Sequence, residues 1–148
     1  MTQLRPILLV EDSMKDIELV LAALKKNNFA NPVVVARDGV EALDYLHRRG
    51  KFAGQPVLPP IVMLLDLKMP RMDGLEVLRE IKQNPILKVT PVVMLTSSRE
   101  EADLVESYKL GVNAYVVKPV GFQQFVDAIR QTGIFWAVIN EPPLNARA

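Results

Sequence analysis

Residues 61–66 read Ile61-Val62-Met63-Leu64-Leu65-Asp66. An unbroken apolar run of this length, without polar alternation, suits a strand buried on both faces, as in a parallel sheet covered by helices on either side. Asp66 closes the run and is followed by Leu67, so the charge ends a core strand rather than opening a loop. A carboxylate left unpaired there would be costly, and such groups are commonly kept for function.

Working outward, four more runs have the same character: Ile7 to Val10, Val33 to Ala36, Val92 to Leu95 and Ala114 to Val117. Between them lie segments of helical period, with Ile17, Val20, Leu21 and Leu24 in the first, Val40, Leu43 and Leu46 in the second, and Leu75, Leu78 and Ile81 in the third. The fourth, from Arg99 to Leu110, places Ala102, Val105 and Tyr108 on one face, and the fifth sets Phe122, Phe125, Val126 and Ile129 at i, i+3, i+4, i+7. Helix starts are marked independently. Ser13 to Asp16, Asp38 to Glu41, Asp73 to Glu76 and Ser98 to Glu101 each put a capping residue three positions before an acid, the spacing of a capping box. Asn84-Pro85 stops the third helix, and Glu141-Pro142-Pro143 stops whatever follows the fifth. Strands alternating with helices in this way predict a three-layer α/β domain with a five-stranded parallel sheet and right-handed crossovers. The stretch from Gly50 to Pro60 reads as a surface loop, longer than most connections in such units.

Composition narrows the chemistry. The 148 residues contain no Cys and one His, which excludes disulfide scaffolds, thiolate catalysis, zinc fingers and His-rich metal sites. Eighteen Lys plus Arg against 17 Asp plus Glu leave a net charge of +1, no argument for nucleic acid or an anionic membrane. No apolar run reaches spanning length and no signal-peptide core precedes Pro6, so a cytoplasmic protein is expected. Oxygen ligands, lysine and hard cations remain.

In open parallel sheets ligands bind at the carboxyl ends of the strands. There the sequence delivers Glu11 and Asp12 after strand one, Asp66 after strand three, Thr96 after strand four and Lys118 before Pro119 after strand five. Each has an ordinary reading: an acidic pair after a strand is a common turn and cap, Thr is at home in a strand, and Lys118 alone could be a snorkelling surface lysine. Their coincidence at one edge is what carries weight. Three carboxylates in one pocket need a proton or a cation, and with only oxygen ligands present Mg²⁺ is the expected ion. A cation, a lysine and a hydroxyl together form a phosphoryl-binding constellation.

The blocks Leu8 to Asp12, Leu64 to Gly74, Val93 to Ser97 and Ala114 to Pro119 resemble, in order and spacing, the signature blocks of two-component response regulator receiver domains. The resemblance runs from about Ile7 to Ile129. It implies a flavodoxin-like fold with strand order 2-1-3-4-5. It further implies that Asp66 accepts a phosphoryl group from a partner histidine kinase, that Asp12 ligates Mg²⁺ directly with Glu11 assisting through water, and that the backbone carbonyl of Lys68 supplies a third protein ligand. By the same resemblance Thr96 contacts the phosphoryl oxygens, Lys118 pairs with the aspartyl phosphate, Tyr115 is the switch aromatic, and Lys118-Pro119 is often a cis peptide. Lys68 and Ser98 fall at variable positions that tune phosphoryl lifetime in the family, and Lys68 is expected to alter water access or local charge, its sign unset.

A receiver at residues 5–132 leaves 133–148 as an extension. Its stretch Ile134 to Ile139 is apolar on every helical face, so Phe135, Trp136, Val138 and Ile139 are expected at a partner surface. This tail and the long loop before strand three resemble the single-domain regulators associated with bacterial and cyanobacterial phytochromes. That likeness implies a phytochrome-type kinase and a homodimer through strand five, helices four and five and the extension. The expected output is protein interaction, with no effector domain, no nucleic-acid binding and no membrane. An Mg²⁺-dependent hydrolase with an aspartyl-phosphate intermediate, or a receiver-like module never phosphorylated, are the alternatives. The hydrolase ordinarily carries a second Asp two residues past the nucleophile, where this chain has Lys68. His47 reads as a surface residue, not a relay histidine.

Overall fold

The structure is a computed structural model, and it describes residues 4–54, 59–96 and 109–132. Five parallel strands, β1 (Ile7–Val10), β2 (Val33–Ala36), β3 (Val62–Asp66), β4 (Val92–Thr96) and β5 (Ala114–Val117), pair in the order β2-β1-β3-β4-β5. Helices α1 (Met14–Lys26), α2 (Gly39–His47) and α3 (Gly74–Gln83), and a C-terminal helix (Phe122–Gln131), cover the sheet. This is the flavodoxin-like arrangement. Strands β3 and β4 each run one residue beyond the predicted apolar stretch, so Asp66 and Thr96 belong to the ladder itself.

Alternation along the strands sorts the core into two layers. Ile7, Leu9, Val62, Leu64, Val93 and Leu95 face α1 and the C-terminal helix, meeting Ile17, Val20, Leu24, Phe125 and Ile129. Leu8, Val10, Met63, Leu65 and Met94 face the other way, onto Leu43, Tyr45, Val77, Leu78 and Ile81 of α2 and α3. Removing such side chains from water stabilises by about 1.5–3 kcal/mol each. The expected stripe on α1 is corrected at one position: Leu21 is 37% exposed and Ala23 is buried in its stead. Hydropathy marks Leu21 as inward, but the helix turns a small residue toward the sheet there.

The three described cap signals form. Ser13, Asp38 and Asp73 accept the backbone N–H of Asp16, Glu41 and Glu76 respectively. Among the described helices the box closes in both directions at α3, where Glu76 Oε1 accepts the amide of Asp73. Asn84 ends α3, and its side chain accepts the amides of Ile86 and Leu87 to start a short 3₁₀ turn, Leu87–Val89. The loop after α2 is anchored at both described ends: a 3₁₀ turn, Gly50–Phe52, sets Phe52 edge-on against Tyr45, and Arg5 donates to the carbonyls of Pro59 and Pro60.

Most of the fourth predicted helix, with Ser98, and the extension carrying Phe135, Trp136, Val138 and Ile139 lie outside the described residues. No helix among the described residues is long and apolar enough to cross a membrane.

Candidate functional site at the carboxyl edge of the sheet

The strand order reverses between β1 and β3, both of which border the same crevice at their carboxyl ends. Register fixes who meets there. Val10 is level with Leu65 and Ala36, so Glu11 emerges beside Asp66, and the Glu11 amide still donates to Ala36 O at 2.9 Å. Leu95 is level with Asp66 and Thr96 with Val117, and Lys118 follows, its amide donating to Thr96 O at 2.7 Å. Glu11, Asp66 and Lys118 continue the alternation that faces α1. The Lys118-Pro119 peptide is cis.

The centre of the site is the Lys118 ammonium, 10% exposed. Its Nζ lies 2.6 Å from Glu11 Oε1, 3.0 Å from Asp16 Oδ2 and 3.2 Å from Asp66 Oδ1. Glu11, Asp66 and Thr96 are buried. Glu11 Oε2 accepts the amides of Asp12 and Ser13, which turns the chain out of β1 and into α1. Arg37, at the end of β2, donates to the Asp12 carbonyl at 2.7 Å. Lys68, two residues past Asp66, is exposed, as is His47 at the far end of α2. Tyr115 on the edge strand is 40% exposed.

Burial and the charge of Glu11 raise the Asp66 carboxyl to about 7, with Lys118 opposing them. Burial alone would lower Lys118, but its close contacts with Glu11 and Asp16 and the charges of Asp66 and Glu11 prevail and hold it firmly protonated. The pocket is therefore short of positive charge. Carboxylate oxygens of Glu11, Asp12 and Asp66 lie within 4.8 Å of one another, a grouping that could hold a metal ion. Glu11 Oε1 is buried and receives no hydrogen bond among the described residues, although the ammonium is 2.6 Å away. The contact is an ion pair that leaves acceptor capacity unused. An all-oxygen donor set with spare capacity and excess negative charge fits a hard divalent cation.

Asp16 is the neighbour that sequence reasoning missed. Its signal was visible, an acid in the first turn of α1, but cap spacing accounted for it completely.

Comparison with known proteins bears on this arrangement. The profile of the response regulator receiver domain matches residues 7–130. Response regulator Rcp1 of Synechocystis sp. is 42% identical over 130 residues, 88% of this chain and 87% of that protein. Its Mn²⁺-bound crystal structure superposes with a TM-score of 0.74, covering 94% of this chain and 99% of that one. The structure of the bacteriophytochrome response regulator AtBRR is 61% identical with a TM-score of 0.85, covering 95% of this chain and all (100%) of that one. The phosphorylated cyanobacterial phytochrome response regulator RcpA is 42% identical, with a TM-score of 0.72 over 88% of this chain and 91% of that one. The chain belongs to the response regulator receiver domain family and is closely related to phytochrome response regulators.

Proposed function

We propose that the protein is a phosphorylation switch: Asp66 accepts a phosphoryl group from the phosphohistidine of a partner histidine kinase of the phytochrome type, and the signal leaves by protein–protein contact. The observation that carries this reading is the buried Lys118 ammonium shared among Glu11, Asp16 and Asp66 beside a trio of carboxylates suited to a cation. The phosphorylated state of RcpA and the Mn²⁺ bound by Rcp1 support it.

Glu11, Asp12 and Asp66, with the backbone carbonyl of Lys68, would hold Mg²⁺, which when bound supplies charge neutralisation for the phosphoryl oxygens. An Asp66 oxygen attacks phosphorus in line. The P–O bond forms as the P–N bond breaks, and the electron pair leaves with the imidazole nitrogen. Lys118 pairs with a phosphoryl oxygen and the Thr96 hydroxyl donates to another, both positioned by the strand ends. Thr96 and Tyr115 then bias the surface around β5, the Tyr115 ring moving inward from its exposed position. The chain thus assists its own phosphorylation and dephosphorylation without turning over a separate substrate. The hydrolase alternative lacks its acid, since an exposed lysine, Lys68, occupies that position.

Incubation with a small phosphodonor and Mg²⁺, followed by intact-mass measurement, tests the reading. Wild type gains one phosphoryl mass and Asp66→Asn gains none. No added mass on wild type, or equal labelling of the variant, would overturn it.

Residues 5–132 form the receiver in this reading, and the apolar extension 133–148 joins β5, the fourth helix expected from the sequence and the C-terminal helix in a homodimer. Sedimentation should show a dimer for wild type and a monomer for Phe135→Asp; a monomeric wild type, or an unaffected variant, sinks the dimer proposal.

A further inference from the structure

We propose that Asp16 is a positioning residue for the phosphoryl chemistry, anchoring Lys118 so that its ammonium keeps an N–H directed at Asp66. The inference rests on the phosphoacceptor reading above and adds a residue to it.

An ammonium has three N–H donors and Lys118 has three carboxylates around it: Glu11 Oε1 at 2.6 Å, Asp16 Oδ2 at 3.0 Å and Asp66 Oδ1 at 3.2 Å. These partners are not equivalent. Glu11 and Asp66 both belong to the trio that could hold a cation, whereas Asp16 lies outside it. Whatever occupies the trio competes with Lys118 for Glu11 and Asp66, and leaves its hold on Asp16 untouched. Without that hold, a lysine with four rotatable methylenes drifts toward Glu11, its nearest partner, and away from the acceptor.

The local fold frees Asp16 for this task. Ser13 Oγ accepts the Asp16 amide at 3.3 Å, so the cap is made by the backbone of Asp16 and does not require its carboxylate. The carboxylate instead accepts a hydrogen bond from Lys118, 102 residues along the chain. Its placement follows from the sheet: α1 lies over the face onto which Glu11, Asp66 and Lys118 alternate. The competing account is an ordinary first-turn acid, favourable to the helix dipole. That role would affect stability but would be indifferent to what stands at position 118.

A double-mutant cycle separates the two. Phosphoryl uptake from acetyl phosphate at saturating Mg²⁺ is timed by intact mass for wild type, Asp16→Asn, Lys118→Met and the double variant. Loss of one charged hydrogen bond in the reacting geometry predicts uptake about tenfold slower for Asp16→Asn. In the Lys118→Met background the same change should matter by less than about twofold, because the anchored group is gone. Asp16→Glu should restore uptake to within about threefold of wild type, a rescue that general loss of stability would not give. Equal rates for wild type and Asp16→Asn, or the same fold-change in both backgrounds, would overturn the positioning role while leaving the phosphoacceptor reading intact. Failure of wild type to label refutes that reading itself, and this inference with it. Where Lys118→Met labels too slowly to time, reductive methylation of Lys118, read by peptide mapping, decides. Faster modification in Asp16→Asn than in wild type supports the anchor, and an equal rate overturns it.

Discussion

Two aspartates at the carboxyl edge of the sheet each face a basic side chain, and their fates differ. Asp38, at the start of α2, accepts the Glu41 amide at 2.8 Å and two guanidinium N–H groups of Arg71 at 2.6 and 2.8 Å. Burial would lift its carboxyl, but the amide and the guanidinium outweigh it and hold the group below the usual carboxylate range. Asp66 is more deeply buried and shares one ammonium with Glu11 and Asp16, so its carboxyl is raised instead. The difference lies in the local ratio of acids to donors. Where donors match the acid, the charge stabilises the fold; where acids outnumber the cation, the site carries a charge deficit that a ligand can relieve. The first arrangement is structural, and the second is the one on which the proposed switch rests.

The largest effect expected is on the second region. The Asp66 carboxyl is raised from 3.8 to about 7 in the folded chain, so the folded state holds its proton across that interval while the unfolded state has released it. Without divalent cation, stability therefore falls as pH climbs from about 4 to about 7, and is unaffected by this group below the unfolded value. Asp66→Asn, measured in chelator by thermal denaturation, should be more stable than wild type by on the order of 2 kcal/mol at about pH 8. The gain should vanish near pH 4; a gain that is independent of pH would contradict the charge-deficit account.

Asp38→Ala should act in the opposite sense, costing about 1–2 kcal/mol at neutral pH through loss of the cap and the Arg71 pair. The folded carboxyl is lowered, so its contribution is present above the unfolded value and lost as pH falls below it. Denaturant titration at two pH values checks this, and phosphoryl uptake by the variant should persist. If uptake is abolished, the division between the two regions is wrong. The smallest effect belongs to Lys68, exposed on the loop joining them. Lys68→Asn shortens a side chain two residues past Asp66, and dephosphorylation should quicken by about twofold to threefold, the scale of a surface charge. Equal phosphoryl lifetimes would remove Lys68 from consideration.

The sequence made the strands and their polar ends readable because each signal was local: an apolar run, then a carboxylate, a hydroxyl or an amine at its close. Cap spacing placed Ser13, Asp38 and Asp73 correctly for the same reason. Contacts that depend on reach between elements stayed hidden. Asp16 looked finished once it was a cap acid, and nothing in its neighbourhood named Lys118 as a partner. The pairing of Arg71 with Asp38 was also invisible, because it requires Arg71 to adopt φ 66°, a left-handed conformation that its residue type does not announce. Leu21 shows the limit of hydropathy, which ranks side chains but does not say which face of a helix has room for them.

Gly74, the first residue of α3, packs so closely on β3 that an added Cβ would clash with the Asp66 carbonyl oxygen. Its amide donates to Leu67 O at 2.9 Å, and the Met72 amide donates to Pro70 O across the turn centred on Arg71. The loop from Leu67 to Asp73 is therefore held at its beginning, middle and end while Lys68 and Pro70 remain exposed. Such a frame would separate timing from architecture: in the proposed switch, substitutions at the exposed positions could reset how long a signal lasts while Asp66 stays where it is. A lineage needing a slower or faster clock could vary those side chains alone, and a designer could do the same.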